Sequence, residues 1–153
     1  MIALHSFKPD NWDVVLDLAN QAVPFALQEN EEWLEYRKAF DESNRTRRHY
    51  LAYDGKTPVG YGALEQQGDA ADLLRVYVVT IPDNLKGMVG DTIYAQLLQD
   101  AHELGATTLW VREFQDDKPI CEFFTSHGFV EDQKVTLPDY LPMVILKLVL
   151  FPS

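Results

Sequence analysis

Apolar side chains on both faces of Leu73–Thr80, LLRVYVVT, predict a covered central strand, because a half-solvated strand would alternate apolar with polar positions. Pro82 ends it. Beyond the turn the apolar positions take helical spacing at Val89, Ile93, Leu97 and Ala101, with Tyr94, Leu98 and Leu104 beside them, and Gly105 supplies a C-terminal stop. The join, LKGMVG from Leu85 to Gly90, holds two glycines that let the backbone turn sharply. The helix start behind them offers unpaired N–H groups and the positive end of the helix dipole, which suits a phosphate, although a strand, glycine and helix junction serves simple packing equally well. No GxGxxG opens this helix and no GK[ST] follows the glycines, so the join is neither a dinucleotide fingerprint nor a P-loop.

The rest of the chain arranges itself around that strand and helix. Residues 1–7 read as a strand broken by Lys8-Pro9-Asp10-Asn11, after which Asp10 or Asn11 caps a helix carrying Trp12, Val15, Leu16, Leu18 and Ala19. A second helix is predicted over 29–42, with Trp33, Leu34, Tyr36 and Phe40 among many acids. Between the two, AVPFALQEN is interrupted by Pro24, and its apolar residues either cover an edge of the core or line a cleft. His49–Tyr53 and Pro58–Glu65 form a hairpin about Asp54-Gly55-Lys56. Gly60 and Gly62 fall on one face of the returning strand, where they admit a ligand or another backbone, or mark a bulge. Thr107–Arg112 is a further strand, with Leu109 and Val111 on one side and Thr108 and Trp110 on the other. A turn over Phe114–Lys118 leads into a short helix with Pro119 in its first turn and Ile120, Phe123 and Phe124 as core residues, closed by Gly128. Two last strands, Phe129–Val135 and Met143–Leu150, flank LPDYLP. The order β-α-α-β-β-β-α-β-α-β-β predicts one α/β domain over 1–153 with a central mixed sheet flanked by helices.

A formal charge of −11 and a pI near 4.6 exclude a general nucleic-acid binder, since no broad basic face can form. Arg45, Arg47 and Arg48 are the one local basic cluster and read as a charged lead-in to a strand, with ligand contact as the other reading. The single cysteine, Cys121, excludes an internal disulfide framework and a cysteine-based metal cluster, and His5, His49, His102 and His127 lack metal-binding spacing. The amino terminus MIALHSF carries no leader pattern, and PMVILKLVLF is too short to span a bilayer and is interrupted by Lys147. The expectation is a cytoplasmic protein with no membrane partner and no metal, with a homodimer left open.

Three passages carry a resemblance to the GNAT superfamily of acyl-CoA-dependent N-acyltransferases: VYVVTIPDNLKGMVGDTIYAQLL, the strand TTLWV, and DKPICEFFTSHGF. The match covers essentially the whole chain in element order. The first passage resembles the family's fourth strand and pyrophosphate loop, a basic residue or glutamine, two free positions, glycine, one free position, then glycine or alanine. Leu85 stands at the basic position, Met88 at the first glycine and Gly90 at the second, while Gly87 lies one residue early. In the third passage Asp117 falls at the family's Asn, Phe123 and Phe124 at its aromatic pair, and Gly128-Phe129 at its terminal Gly-Phe. Phe124 replaces the tyrosine that protonates the leaving thiolate in many members.

The resemblance implies acetyl-CoA as cosubstrate, its pantetheine arm on the backbone of Val78, Val79 and Thr80. Its diphosphate would lie on the amides of Leu85, Lys86, Gly87, Met88, Val89 and Gly90, with Asp117 at the family's Asn position. Asp91, within the first turn of the helix, opposes a phosphate unless it points away or caps. N-acylation needs a neutral amine, a donor for the oxyanion and a proton for the thiolate. On those terms Glu65 is the candidate to take the amine proton, with a solvated strand end as its other reading, and Tyr77, Tyr140 and His127 are further acid or base candidates. Cys121 reads as a small buried residue. The acceptor is an amine-bearing small molecule or peptide, and the negative chain charge favours a cationic one. The alternative is an inactive acyl-CoA-binding or regulatory domain of the same fold.

Overall fold

The computed structural model describes residues 2–22, 31–80, 88–138 and 141–150. The hydrophobic pattern is realised as β1 (Ile2–Ser6), a 3-10 turn over Pro9–Asn11, α1 (Trp12–Ala22), α2 (Glu31–Glu42), β2 (Thr46–Asp54), β3 (Thr57–Glu65), β4 (Leu73–Thr80), α3 (Met88–Glu103), β5 (Thr108–Phe114), α4 (Lys118–Ser126), β6 (Val130–Val135) and β7 (Met143–Val149). Among the described residues these strands form one seven-stranded sheet in the order β1-β2-β3-β4-β5-β7-β6. Neighbouring strands run antiparallel except β4 and β5, which are parallel and joined through α3. The expected mixed sheet flanked by helices is therefore the observed one.

β4 is the central strand, and its two faces are apolar because a core lies on each. Leu74, Val76 and Val78 pack with Ile93, Leu97, Phe123 and Phe124 under α3 and α4. Val79 joins Trp12, Val15, Leu18, Leu34 and Tyr61 under α1 and α2, with Tyr77 packed against that group. Strand alternation puts Arg75 on this second face as well.

Gly60 and Gly62 make room for a helix. A Cβ on Gly62 would collide with Ile93 Cγ2, and one on Gly60 would sit 2.8 Å from Ile93 Cδ1 and 3.2 Å from the Val79 carbonyl oxygen. The pair thus lets α3 lie close against β3, and Gly60 also borders an irregularity in the β2–β3 pairing, where Ala52↔Gly60 is followed by Tyr53↔Pro58. Gly62→Ala should cost about 1–3 kcal/mol by overpacking, read as a lower melting temperature. Ile93→Val, which deletes Cδ1 but keeps Cγ2, should relieve Gly60→Ala and leave Gly62→Ala unrelieved. Equal rescue of both would show that the helix shifts instead.

Two boundaries differ from the sequence reading. β2 begins at Thr46 because Thr46 and Arg48 pair with Glu65 and Leu64, which takes Arg47 and Arg48 into the strand instead of ahead of it. β5 continues to Phe114 because β7 pairs with it as far as Phe114↔Met143, so Glu113 extends the strand and Phe114 belongs to it instead of to the turn. The apolar segment 23–30 lies outside the described residues.

Candidate active site

β4 and β5 are paired only at Leu73↔Thr108, Leu74↔Leu109 and Arg75↔Trp110. From there they part. β4 runs on to Thr80 held by β3 alone, ending at Gly60↔Thr80, while β5 runs on to Phe114 held by β7 alone. The result is a wedge-shaped gap in the middle of the sheet, with its apex at Arg75 and Trp110. Val76, Val78, Val79 and Thr80 along this edge are buried, so backbone groups there are cut off from bulk water and call for a partner. An extended ligand with amides of its own supplies one by lying along the strand.

α3 starts at the far end of the gap. Leu85, Lys86 and Gly87 lie outside the described residues, as does the Met88 side chain. Val89 and Gly90 form the first turn and are buried against the sheet, which leaves their backbone as the part that can meet a ligand. Asp91 is turned toward α4, with Oδ1 3.3 Å from His127 Nε2. That pairing accounts for an acid in the first turn of α3. His127 is the C-cap of α4, its ring 4.3 Å from that of Tyr94, so it braces α3 against α4.

Asp117 is the N-cap of α4, its Oδ1 accepting from the Ile120 amide at 3.4 Å. Burial pushes the Cys121 thiol up to about 11, and its Sγ lies 3.7 Å from the Phe114 carbonyl, so it is a thiol and not a nucleophile at neutral pH. Tyr140 lies outside the described residues.

On the α1/α2 side of the apex stands a cluster that sequence reasoning missed. Glu65 is fully buried and not a solvated strand end: Oε2 meets Arg37 Nη2 at 2.5 Å and Oε1 lies 4.0 Å from Arg75 Nη1. The β3–β4 register sets this up by placing Glu65 opposite Arg75, while α2 delivers Arg37 from above. Glu65 thus faces a guanidinium with each oxygen, an ion-paired group at the apex whose two oxygens make no hydrogen bond among the described residues. Burial works against the Arg37 charge, but Glu65, Tyr61 and Tyr77 together hold it above the usual guanidinium range.

Both guanidiniums also lie over the Tyr77 ring, Arg37 Cζ at 4.6 Å and Arg75 Cζ at 5.5 Å from its centroid. Burial pushes the Tyr77 phenol up to about 12, so it keeps its proton at neutral pH. Tyr61, pushed up mainly by burial, sits 3.2 Å from His49 Nδ1, and His49 Nε2 lies 3.8 Å from Asp41. Burial lowers the His49 imidazole below its ordinary value and outweighs the pull of Asp41.

On the β5 rim of the gap, Glu113 is half-buried, and burial pushes its carboxyl up to about 8 despite the opposing influence of Arg75. Of the groups along this rim it is the one brought to a neutral working pH. Nothing in the sequence marked it, because the predicted strand stops at Arg112, two residues short of Phe114.

Residues 12–129 match the family model described as "Acetyltransferase (GNAT) family". No curated protein matches the chain. Among solved structures, the ribosomal-protein-S18-alanine N-acetyltransferase of Escherichia coli is 15% identical and superposes with a TM-score of 0.76 over 97% of this chain and 94% of its own. An N-acetyltransferase from Staphylococcus aureus Mu50 is 10% identical, with a TM-score of 0.77 over 97% and 98%. The yncA protein of Salmonella typhimurium, solved with its cofactor acetyl-CoA, is 11% identical, with a TM-score of 0.74 over 99% and 95%. At these identities the structures speak for the fold, and the sequence match speaks for the family. Since that match runs from α1 to the end of α4 and takes in both strands of the gap, the chain is a member of the GNAT acetyltransferase family.

Proposed function

We propose that the protein transfers the acetyl group of acetyl-CoA to the nitrogen of a primary amine. The observation that carries this reading is the parting of β4 and β5 after Arg75 and Trp110, with a buried strand edge on one side and a helix start at its end. From Thr80 back to Arg75 the strand covers about 16 Å, at about 3.3 Å per residue, enough for an extended pantetheine arm. The arm would lie along Val78, Val79 and Thr80, with the diphosphate at 85–90 and the thioester at the apex.

Acetyl-CoA supplies an activated acyl group there. The chain's own part is to hold the amine against that carbonyl and to move one proton. The amine nitrogen bonds to the carbonyl carbon, the C–S bond breaks with its electron pair on sulfur, and the amine's proton is lost as sulfur gains one. The products are an amide and a free thiol. Glu113 is the group we assign to the amine proton, because a base with a pKa near the operating pH is the most effective. Glu65, in this reading, fixes the arginines of the apex, and the Tyr77 phenol is the nearest donor on that face. Phe124 is fully buried and offers no proton to the sulfur, which favours, as a second reading, a protein that binds acetyl-CoA without turning it over.

Calorimetric titration with acetyl-CoA should saturate, and adding an acceptor amine should release free thiol. Saturation without amine-dependent thiol would select the second reading. No saturation at millimolar ligand would remove both.

A further inference from the structure

The apex of the gap is cationic although the chain carries a formal charge of −11. On the α1/α2 face, among the described residues, one carboxylate, Glu65, serves two guanidiniums, Arg37 and Arg75, which leaves one positive charge over. Arg75 is 11% exposed, sits between the rings of Tyr77 and Trp110, 5.5 and 5.6 Å from their centroids, and its Nε is buried with no hydrogen-bond partner among the described residues. Arg112 follows Trp110 by two positions, on the same face of β5, and is exposed with no carboxylate bonded to it among the described residues. Since Arg75 is paired with Trp110, Arg112 is its diagonal neighbour across the two strands; burial, and then Arg75, lower the Arg112 pKa, with Tyr36 and Glu113 acting the other way. Glu113 does not come between them, since strand alternation puts it on the face of β5 opposite Arg112.

Two like charges held on the diverging strands, one of them desolvated, are costly unless an anion comes between them. The place where it would come is the acceptor side of the thioester. We infer that the acceptor is a primary amine that also carries a carboxylate, an amino acid or a close analogue, whose carboxylate lies against Arg112 and Arg75 at the apex. This rests on the acetyl-transfer reading and names its acceptor class. It reverses the preference for a cationic acceptor that the net charge suggests. The global charge is screened beyond about 8 Å at physiological ionic strength, whereas two guanidiniums in contact with a carboxylate are not.

The test compares amino acids with their carboxamides and with the matching decarboxylated amines. The amino acids should show kcat/KM at least about tenfold higher, one charge-assisted contact at 1.4 kcal/mol per decade. Arg112→Gln should raise KM for the acids, leave the carboxamides within about twofold and leave the affinity for acetyl-CoA unchanged, and Arg112→Lys should restore part of the loss. Carboxamides or plain amines used as well as the acids, or discrimination that survives Arg112→Gln, would overturn the inference. A second readout needs no turnover: N-acetylated amino acids, the products, should bind saturably to the wild type and at least about tenfold more weakly to Arg112→Gln. If these bind but acetyl-CoA does not, the acetyl-transfer reading fails and the anion site stands. Absence of product binding at millimolar concentration would overturn the anion site, whether or not acetyl-CoA binds.

Discussion

Glu65→Gln should be the most damaging single change at the apex, lowering the unfolding free energy by about 3–5 kcal/mol, because it leaves Arg37 and Arg75 buried together with no anion between them. Arg37→Met should cost less. Glu65 then still has Arg75 at 4.0 Å, and the remaining charges can settle toward each other. The double variant Glu65→Gln/Arg37→Met should lie close to Arg37→Met alone, far from the sum of the two, since one buried charge is removed with its partner. Chemical denaturation with coincident circular-dichroism and fluorescence transitions measures this. A Glu65→Gln protein as stable as the wild type would show that the carboxylate does not balance these arginines. The prediction also bears on activity: loss of turnover in Glu65→Gln would track loss of the folded apex, so it would not identify Glu65 as the base.

The elements of the fold were legible because each carried a pattern with one period. β4 was apolar on both faces, α3 repeated its apolar positions every three or four residues, and Gly105 and Gly128, with φ of 77° and 94°, stopped their helices where a left-handed residue is needed. What could not be read was anything that depends on two elements meeting. Gly60 and Gly62 left three readings open, and only the position of Ile93 on α3 shows the close approach of a helix. Glu65 looked like one acid among polar neighbours, because its partners come from a helix 28 positions earlier in the chain and from the strand opposite. Arg37 lay in an acid-rich helix where a lone arginine passes as surface charge. Glu113 was hidden differently: the turn residues after β5 gave no sign that β7 would carry the strand to Phe114. If the acceptor carries a carboxylate, as inferred above, the net charge is a poor guide to it for a related reason: a sum over the chain carries no information about where charges gather.

Glu113→Gln should lower kcat by about a hundredfold or more, the ordinary contribution of a positioned acid or base, with little change in acetyl-CoA affinity. In the wild type, turnover under saturating acetyl-CoA should rise with pH and level off, with a midpoint near 8 set by burial of this carboxyl. The amine acceptor titrates too, so acceptors of different basicity are needed to separate the two. A limb that stays near 8 as the acceptor changes belongs to the protein, and one that moves with it belongs to the amine. Stability supplies an independent check on the same group. The folded carboxyl titrates at about 8 and the unfolded one at 4.5, so between those values the folded state binds the proton more tightly. Its contribution to stability is full below pH 4.5 and is lost as the pH rises through 8, because unfolding then releases a proton that the native state had kept. Glu113→Gln, uncharged throughout, should flatten that decline and melt higher than the wild type at pH 9. If the variant keeps both the pH limb in turnover and the fall in melting temperature, Glu113 is not the titrating group, and the proton would pass instead through His49 and the phenols beside Arg37.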